Sequence, residues 1–142
     1  FAPYVDLFHR ALAQLEKPDL PIAVHSPGFI ADTDDEAAEQ YWLHHRAMRD
    51  RIGAERGWPE TSTAEYSNEI EHGSLYLGSP ETVARKLAAT ISTLGIHRFD
   101  LKYSAGTLPH ELMMHSIELY GTKVIPMVRD ILASERTPTL AN

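Results

Sequence analysis

Ser74-Leu75-Tyr76-Leu77-Gly78-Ser79-Pro80-Glu81 is the stretch on which the fold turns. A short apolar run ends at a glycine, and the next three residues start a helix. Ser79 serves as N-cap, Pro80 takes the first helical position, and Glu81 sits beside the positive end of the helix dipole. Val83, Leu87, Ile91 and Leu94 recur at helical spacing and predict a buried face, and Gly95 stops the helix. Arg98-Phe99-Asp100-Leu101-Lys102-Tyr103-Ser104 then alternates polar and apolar as a strand does. Strand, helix and strand in this order predict a parallel α/β arrangement.

Working outward toward the N-terminus, Ile22-Ala23-Val24-His25-Ser26 reads as a buried strand stopped by Pro27-Gly28. Before it, Val5, Phe8, Leu12 and Leu15 form one stripe of a helix over 3–15, which Lys17-Pro18 ends. After it, Thr33 and Glu36 form a capping box, with Asp34 and Asp35 in the first turn. Ala37, Tyr41, His45, Met48 and Ile52 line one face of that helix, which should stop at Gly53 or Gly57. Residues 58–73 show no period and are predicted as a long irregular loop or lid. Toward the C-terminus, Gly106-Thr107-Leu108-Pro109 leads into a helix with a stripe through Met113, Ile117, Tyr120, Val124 and Val128. Pro126 should kink it. The predicted organisation is one unit over 1–135 and a frayed tail over 136–142.

Three strands with crossover helices fit either a doubly wound sheet or a (β/α)8 barrel. The alternation gives Phe99, Leu101 and Tyr103 to one face, under helices, and Asp100, Lys102 and Ser104 to the other. In the earlier strand, Ile22 and Val24 oppose Ala23 and His25. A polar row facing away from the helices suits a barrel interior near its mouth, where Asp100 and Lys102 would pair. An edge sheet with one wet face has the same pattern.

Composition narrows the function classes. The chain has 142 residues, 13 basic against 20 acidic, a formal charge of −7 and no cysteine. No basic cluster is present to neutralise nucleic-acid phosphates or anionic lipids. No apolar run approaches a membrane span, and no secretory signal pattern is visible. Without cysteine there is no disulfide and no thiolate chemistry, and a cytoplasmic location is the expectation. His44 and His45 cannot share a helix face, and His110 and His115 are off register, so no metal site is expected. No G-x-G-x-x-G supports a dinucleotide-binding module.

Four segments are familiar in order. Val24-His25-Ser26-Pro27-Gly28-Phe29-Ile30-Ala31-Asp32-Thr33 resembles the stretch after the sixth strand in bacterial luciferase-like flavin oxidoreductases. Gly78-Ser79-Pro80-Glu81-Thr82-Val83-Ala84-Arg85-Lys86-Leu87 resembles the opening of that family's seventh helix. Arg98-Phe99-Asp100-Leu101 through Gly106-Thr107-Leu108-Pro109-His110-Glu111 is similar to its eighth strand and following loop. Ser116-Ile117-Glu118-Leu119 with Val124-Ile125-Pro126 is similar to its closing helix. The resemblance implies an α/β chain that is the C-terminal part of a (β/α)8 TIM barrel, about strands 6–8 with helices 5–8. It implies FMN, or in some branches a deazaflavin, and oxidation of a small organic substrate by a monooxygenase or related oxidoreductase. A whole barrel needs about 250 residues. With Phe1 at its start, the chain is expected to lack the N-terminal half of the barrel, and by itself to be inactive.

Barrel active sites lie at the C-terminal ends of strands. His25 is the expected catalytic residue there, an imidazole to bond flavin or substrate and move protons; its competing reading is a structural barrel histidine. Ser26 would donate to the same ligand or cap a turn. Lys102 would place positive charge near flavin or pair with Asp100. Ser104 and Thr107 would donate to the cofactor, Thr107 alternatively capping the last helix. Tyr103 is expected to pack outward. Ser79-Pro80-Glu81 is capping chemistry and no phosphate site, since Pro80 lacks a donor and Glu81 already occupies the positive end. Trp42, Trp58, Glu65, Glu69 and Glu71 are expected in packing and solvation. The expected partners are the small-molecule substrate and a second copy; exposed strand edges give the alternative of a non-catalytic partial barrel that self-associates.

Overall fold

In the computed structural model, which describes residues 1–136, capped helices alternate with parallel strands. The order is α1 (Ala2–Gln14), β1 (Ala23–Ile30), α2 (Asp34–Arg56), α3 (Thr63–Glu71), β2 (Tyr76–Gly78), α4 (Pro80–Leu94), β3 (Arg98–Lys102), α5 (His110–Leu119) and α6 (Ile125–Arg136), the last two joined by a π-helical turn over Tyr120–Val124. Of the tail expected over 136–142, Arg136 ends α6, and residues 137–142 lie outside the described part.

The caps behave as their chemistry requires. Thr33 accepts the Glu36 N–H at 3.2 Å, and α2 ends on Gly57 in the left-handed region at φ +70°. Ser79 accepts from the Thr82 N–H at 3.3 Å, Pro80 opens α4, and Gly95 closes it at φ +59°. Val83 and Leu87 of the expected face are buried.

Four elements depart from expectation. β1 runs on through Pro27 and Gly28 to Ile30. Pro27 gives up one donor only, at the point where β1 changes partner: residues 23–27 pair with β3 and 28–30 with β2. Gly28 permits a close approach, as set out in the Discussion. Second, the expected irregular loop contains α3. Ser62 accepts from the Glu65 N–H at 3.1 Å, and Tyr66 is the buried anchor. Third, the Pro126 kink takes the form of the π turn, which widens the helix just before the proline and relieves its clash one turn back. The buried set there is Ser116, Leu119, Val124 and Val128, while Met113, Ile117 and Tyr120 of the expected stripe are half-buried. Fourth, α1 has no buried residue; Tyr4 is 72% and Leu15 66% exposed.

The three-stranded parallel sheet has the order β2-β1-β3. Three consecutive strands of a closed barrel would put β2 in the middle. Here β2, of three residues, pairs only with the end of β1, and the lower half of β1 is left to β3. Residues in register share a face. Ile30, Tyr76, Phe99 and Leu101 pack with Val83, Leu87, Leu119, Val124 and Val128 under α4 to α6. On the other face Phe29 and Leu77 pack with Tyr41 of α2 and Tyr66 of α3.

Ser116 links α5 to the sheet. It is fully buried, and its hydroxyl accepts the Ile30 N–H at 2.9 Å. Ser116→Ala leaves that amide buried and unpaired, a loss of about 1–3 kcal/mol. Urea unfolding should show the lower midpoint; a loss under about 0.5 kcal/mol would mean the amide has found another acceptor.

Candidate functional site

The face of the sheet opposite α4 to α6 is covered only in its upper part. Below Phe29, it presents His25, Asp100 and Lys102, all exposed. His25 lies level with Asp100, and Lys102 level with Pro27. His25 is therefore not at a strand end: Ile30 ends β1, five residues on. At about 3.3 Å per residue, His25 sits roughly 16 Å below the C-terminal rim. It lines an open cleft of about 760 Å³ with Val24, Ser26, His72, Lys86 and Thr90, beside the lower half of β1 and beneath β2.

Ser26 shares that cleft but is buried, and its hydroxyl donates to the Ser74 carbonyl at 2.5 Å, tying β1 to the segment before β2. Asp100 does not pair with Lys102 as expected. Its two carboxylate oxygens accept from Arg98 Nε at 2.9 and 3.0 Å, because Arg98 stands two residues back on the same face. Lys102 has no hydrogen-bond or ion-pair partner among the described residues. Tyr103, 41% exposed, lines the opposite side with Phe99, Leu101 and Ser116.

The rim itself is formed by Ala31-Asp32, Gly78-Ser79 and the segment from Tyr103 to Thr107. Ser104 is exposed there. Thr107 does not cap α5, whose N-cap Pro109 has no side-chain bond; its hydroxyl pairs with His44 Nδ1 at 2.9 Å. Asp32 pairs with His115 Nε2 at 3.1 Å. Asp34 accepts from the Ser79 N–H at 2.6 Å and from Thr82 Oγ1 at 2.9 Å, so the start of α2 is bound to the start of α4. Desolvation works against ionisation of Asp34, but these hydrogen bonds and the Arg85 charge outweigh it and hold its carboxyl below the ordinary range. The structure thus brings His25 and Ser26 together in the lower cleft and Ser104 and Thr107 together on the rim, with Lys102 between.

The upper cover was the part least visible from sequence. Tyr41 stacks on Phe29 with ring centroids 5.3 Å apart. His45 lies one turn on, 5.9 Å from Tyr41 and 5.2 Å from Tyr66. Tyr66 donates its hydroxyl to the Ala38 carbonyl at 3.2 Å and meets Trp42 at 5.0 Å. Tyr41 Oη and His45 Nδ1 are buried without a hydrogen-bond partner among the described residues. Burial pushes the Tyr41 hydroxyl up to about 12. The α2–α3 turn is held by Asp50, which accepts from the Thr61 N–H and hydroxyl at 2.8 Å each, and by the Arg49–Glu65 pair. Arg49 and Arg56 lie over Trp58 at 4.8 and 5.2 Å. The sequence signal for this unit was Ser62 followed by Glu65, a capping pair.

No helix among the described residues is long and apolar enough to cross a membrane. No family model and no curated protein matches the chain. Solved structures do. The monooxygenase RslO1 from Streptomyces bottropensis aligns with a TM-score of 0.72 at 13% identity, over 88% of this chain and 37% of that one. The oxygenating constituent of 3,6-diketocamphane monooxygenase from the CAM plasmid of Pseudomonas putida, solved with FMN, aligns with a TM-score of 0.60 at 19% identity, over 87% and 38%. The long-chain alkane monooxygenase LadA aligns with a TM-score of 0.55 at 18% identity, over 92% and 34%. At such identities the likeness is one of fold, and the chain spans little more than a third of each structure's length. The chain has the fold of one part of the luciferase-like flavin monooxygenases.

Proposed function

We propose that the chain is the C-terminal portion, about strands 6–8, of a (β/α)8-barrel, FMN-dependent monooxygenase or related oxidoreductase. Its substrate is a small organic molecule, its location cytoplasmic, and the N-terminal half of the barrel supplies the rest of the pocket. The observation that carries this reading is the open sheet face bearing Lys102, which has no ion-pair partner among the described residues, in a fold shared with an FMN-bound monooxygenase component. Because Asp100 is occupied by Arg98, the Lys102 ammonium is free to face an anionic group.

The residues fit FMN in part. Lys102, Ser104 and Thr107 offer a cation and two hydroxyls at or just below the rim, and Thr107 can keep His44 as its second partner. Bound there, FMN would supply the electron-transfer chemistry that oxidises the substrate. Lys102 stabilises negative charge, a stronger effect where water is excluded. His25, on the same face but deeper, holds or moves a proton at an imidazole nitrogen. Ser26 positions the wall of the cleft, its hydroxyl being committed to Ser74.

Lys102→Met in the full-length protein should weaken FMN binding about tenfold, the equivalent of roughly 1.4 kcal/mol. His25→Ala should leave FMN affinity within about threefold and lower turnover by about 10² or more. Flavin absorbance titrations and turnover assays read both. A full-length preparation that carries no flavin and takes none up would overturn the proposal.

A second reading has its own observation. Phe1, which caps α1, is 81% exposed, Tyr4 and Leu7 of α1 are 72% and 54% exposed, and β1 has an open edge below β2. A non-catalytic partial barrel would bury these by self-association, as a homodimer. Light scattering read together with flavin absorbance separates the two: a flavin-free dimer supports this reading, a flavin-bound protein supports the first, and a compact flavin-free monomer overturns both.

A further inference from the structure

The imidazole of His45 is buried between α2 and α3, and nothing in the flavin reading uses it. His45 is 7% exposed. It stands between Tyr41 and Tyr66, and its Nδ1 has no hydrogen-bond partner among the described residues. Tyr66 is the residue by which α3 is docked: its ring lies on His45 and Trp42, and its hydroxyl reaches Ala38. Anything that forces His45 toward water therefore displaces Tyr66 first.

We propose that protonation of His45 releases α3 from α2, so that mild acid opens the helical cover above Phe29 and Leu77 while the rest of the fold stays closed.

The charges around the ring decide the direction. On its own helix it faces Arg49 and Asp50; from α3 it faces Glu65 and Glu69, with the uncharged Tyr66. Arg49 is paired with Glu65, and Glu69 is occupied by Ser74, whose N–H donates to it at 3.1 Å. The sheet side, Phe29 and Leu77, offers no charge. Loss of water on burial is the largest influence and disfavours the imidazolium; Arg49 adds to it, and Glu69, Glu65 and Asp50 oppose it without reversing it. A histidine held below its ordinary 6.5 takes up protons more readily once exposed. Its contribution to the closed state is full above that pH and is lost as pH falls from 6.5 toward the lowered value. The proposal is independent of flavin: the cover opens or stays shut whatever lies beneath it.

Deuterium exchange on the full-length protein, corrected for the intrinsic pH dependence, tests this between pH 7.5 and 5.5. Amides of Tyr66 to Ile70 should lose protection as pH falls, by up to about tenfold for each unit that the imidazole is depressed. Amides of Val83 to Leu87 in α4 should keep theirs. His45→Phe should abolish the pH dependence at α3, and His45→Gln, which avoids the larger ring, should do the same. A flat profile in the wild type, an unchanged profile in either variant, or α4 loosening together with α3 would each overturn the proposal.

Discussion

Gly28→Ala should destabilise the protein by about 3 kcal/mol or more, the upper end for a single added methyl. The site has no room. A Cβ on residue 28 would stand 2.3 Å from the Tyr76 carbonyl oxygen and 2.4 Å from Leu101 Cδ1. Leu101 can turn away at the cost of a poor rotamer. Tyr76 O cannot, because it is backbone of the strand registered against Gly28. Relief requires β1 and β2 to separate. β2 has three residues, and among the described residues it pairs in the sheet with β1 alone. Separation would also pull Leu75 and Leu77 from the cluster beneath Tyr41. Thermal unfolding should fall by about 10 °C for a domain of this size. Gly57→Ala is the informative contrast. It demands a left-handed alanine at φ +70° but meets nothing within 4 Å, so it should cost only about 1 kcal/mol. If the two substitutions cost the same, the close approach of β1 and β2 is not what Gly28 provides.

That contact also marks where sequence reading stops. Elements bounded by local chemistry were legible. Thr33 with Glu36, Ser79 with Pro80, and the glycines at 57 and 95 place α2 and α4 within a residue or two, because each cap is made by neighbours in the chain. β3 was legible from alternation, although it ends at Lys102 before the expected Ser104. Pro27-Gly28 misled because a local rule reads this pair as a turn. The reason it stays extended lies in residues 76 and 101, far along the chain. α3 was missed because nine residues with two apolar anchors, Tyr66 and Ile70, give a weak period, although Ser62 and Glu65 announced its start. Strand order is wholly non-local. The length of β2 decides it, and the apolar run from Ser74 does not show that only three residues will pair. The candidate site inherits these misreadings. His25 was sought at a strand end because β1 was cut short at Ser26, and Lys102 was expected to pair with Asp100 because alternation alone cannot say which like-facing neighbour wins. Arg98 wins by reaching both carboxylate oxygens.

Lys86 carries the other large prediction. In the sequence it is one cation on a capped helix, and a solvated face is all that its position suggests. In the structure its ammonium is half-buried and donates to three carbonyls: Ile70 at 2.6 Å, Leu75 at 3.0 Å and Glu69 at 3.4 Å. Two of these are last-turn carbonyls of α3, which no further helical N–H can satisfy, and a cation there also meets the negative end of the helix dipole. Leu75 is the residue just before β2, so one side chain joins the end of α3, the start of β2 and the middle of α4. Its ammonium also lies over the Tyr76 ring, 5.1 Å from the centroid, and the Tyr76 hydroxyl bonds Thr90 at 2.8 Å. Burial lowers the tendency of the ammonium to stay charged, with Glu69 opposing, so three well-placed acceptors compensate for hydration that the group has lost. Lys86→Met keeps the stem and removes the donors. Water can reach part of the vacated site, so the loss should fall below three full charged hydrogen bonds, at about 2–3 kcal/mol. Lys86→Arg should not rescue it, because a planar fork cannot place three donors on carbonyls grouped around a point charge. Urea midpoints of the three proteins measure this. A methionine variant within about 0.5 kcal/mol of the parent would show that solvent serves those carbonyls as well as Lys86 does. α3 would then be held by Tyr66, the Arg49–Glu65 pair and the bonds from Ser74 and Leu75 to Glu69.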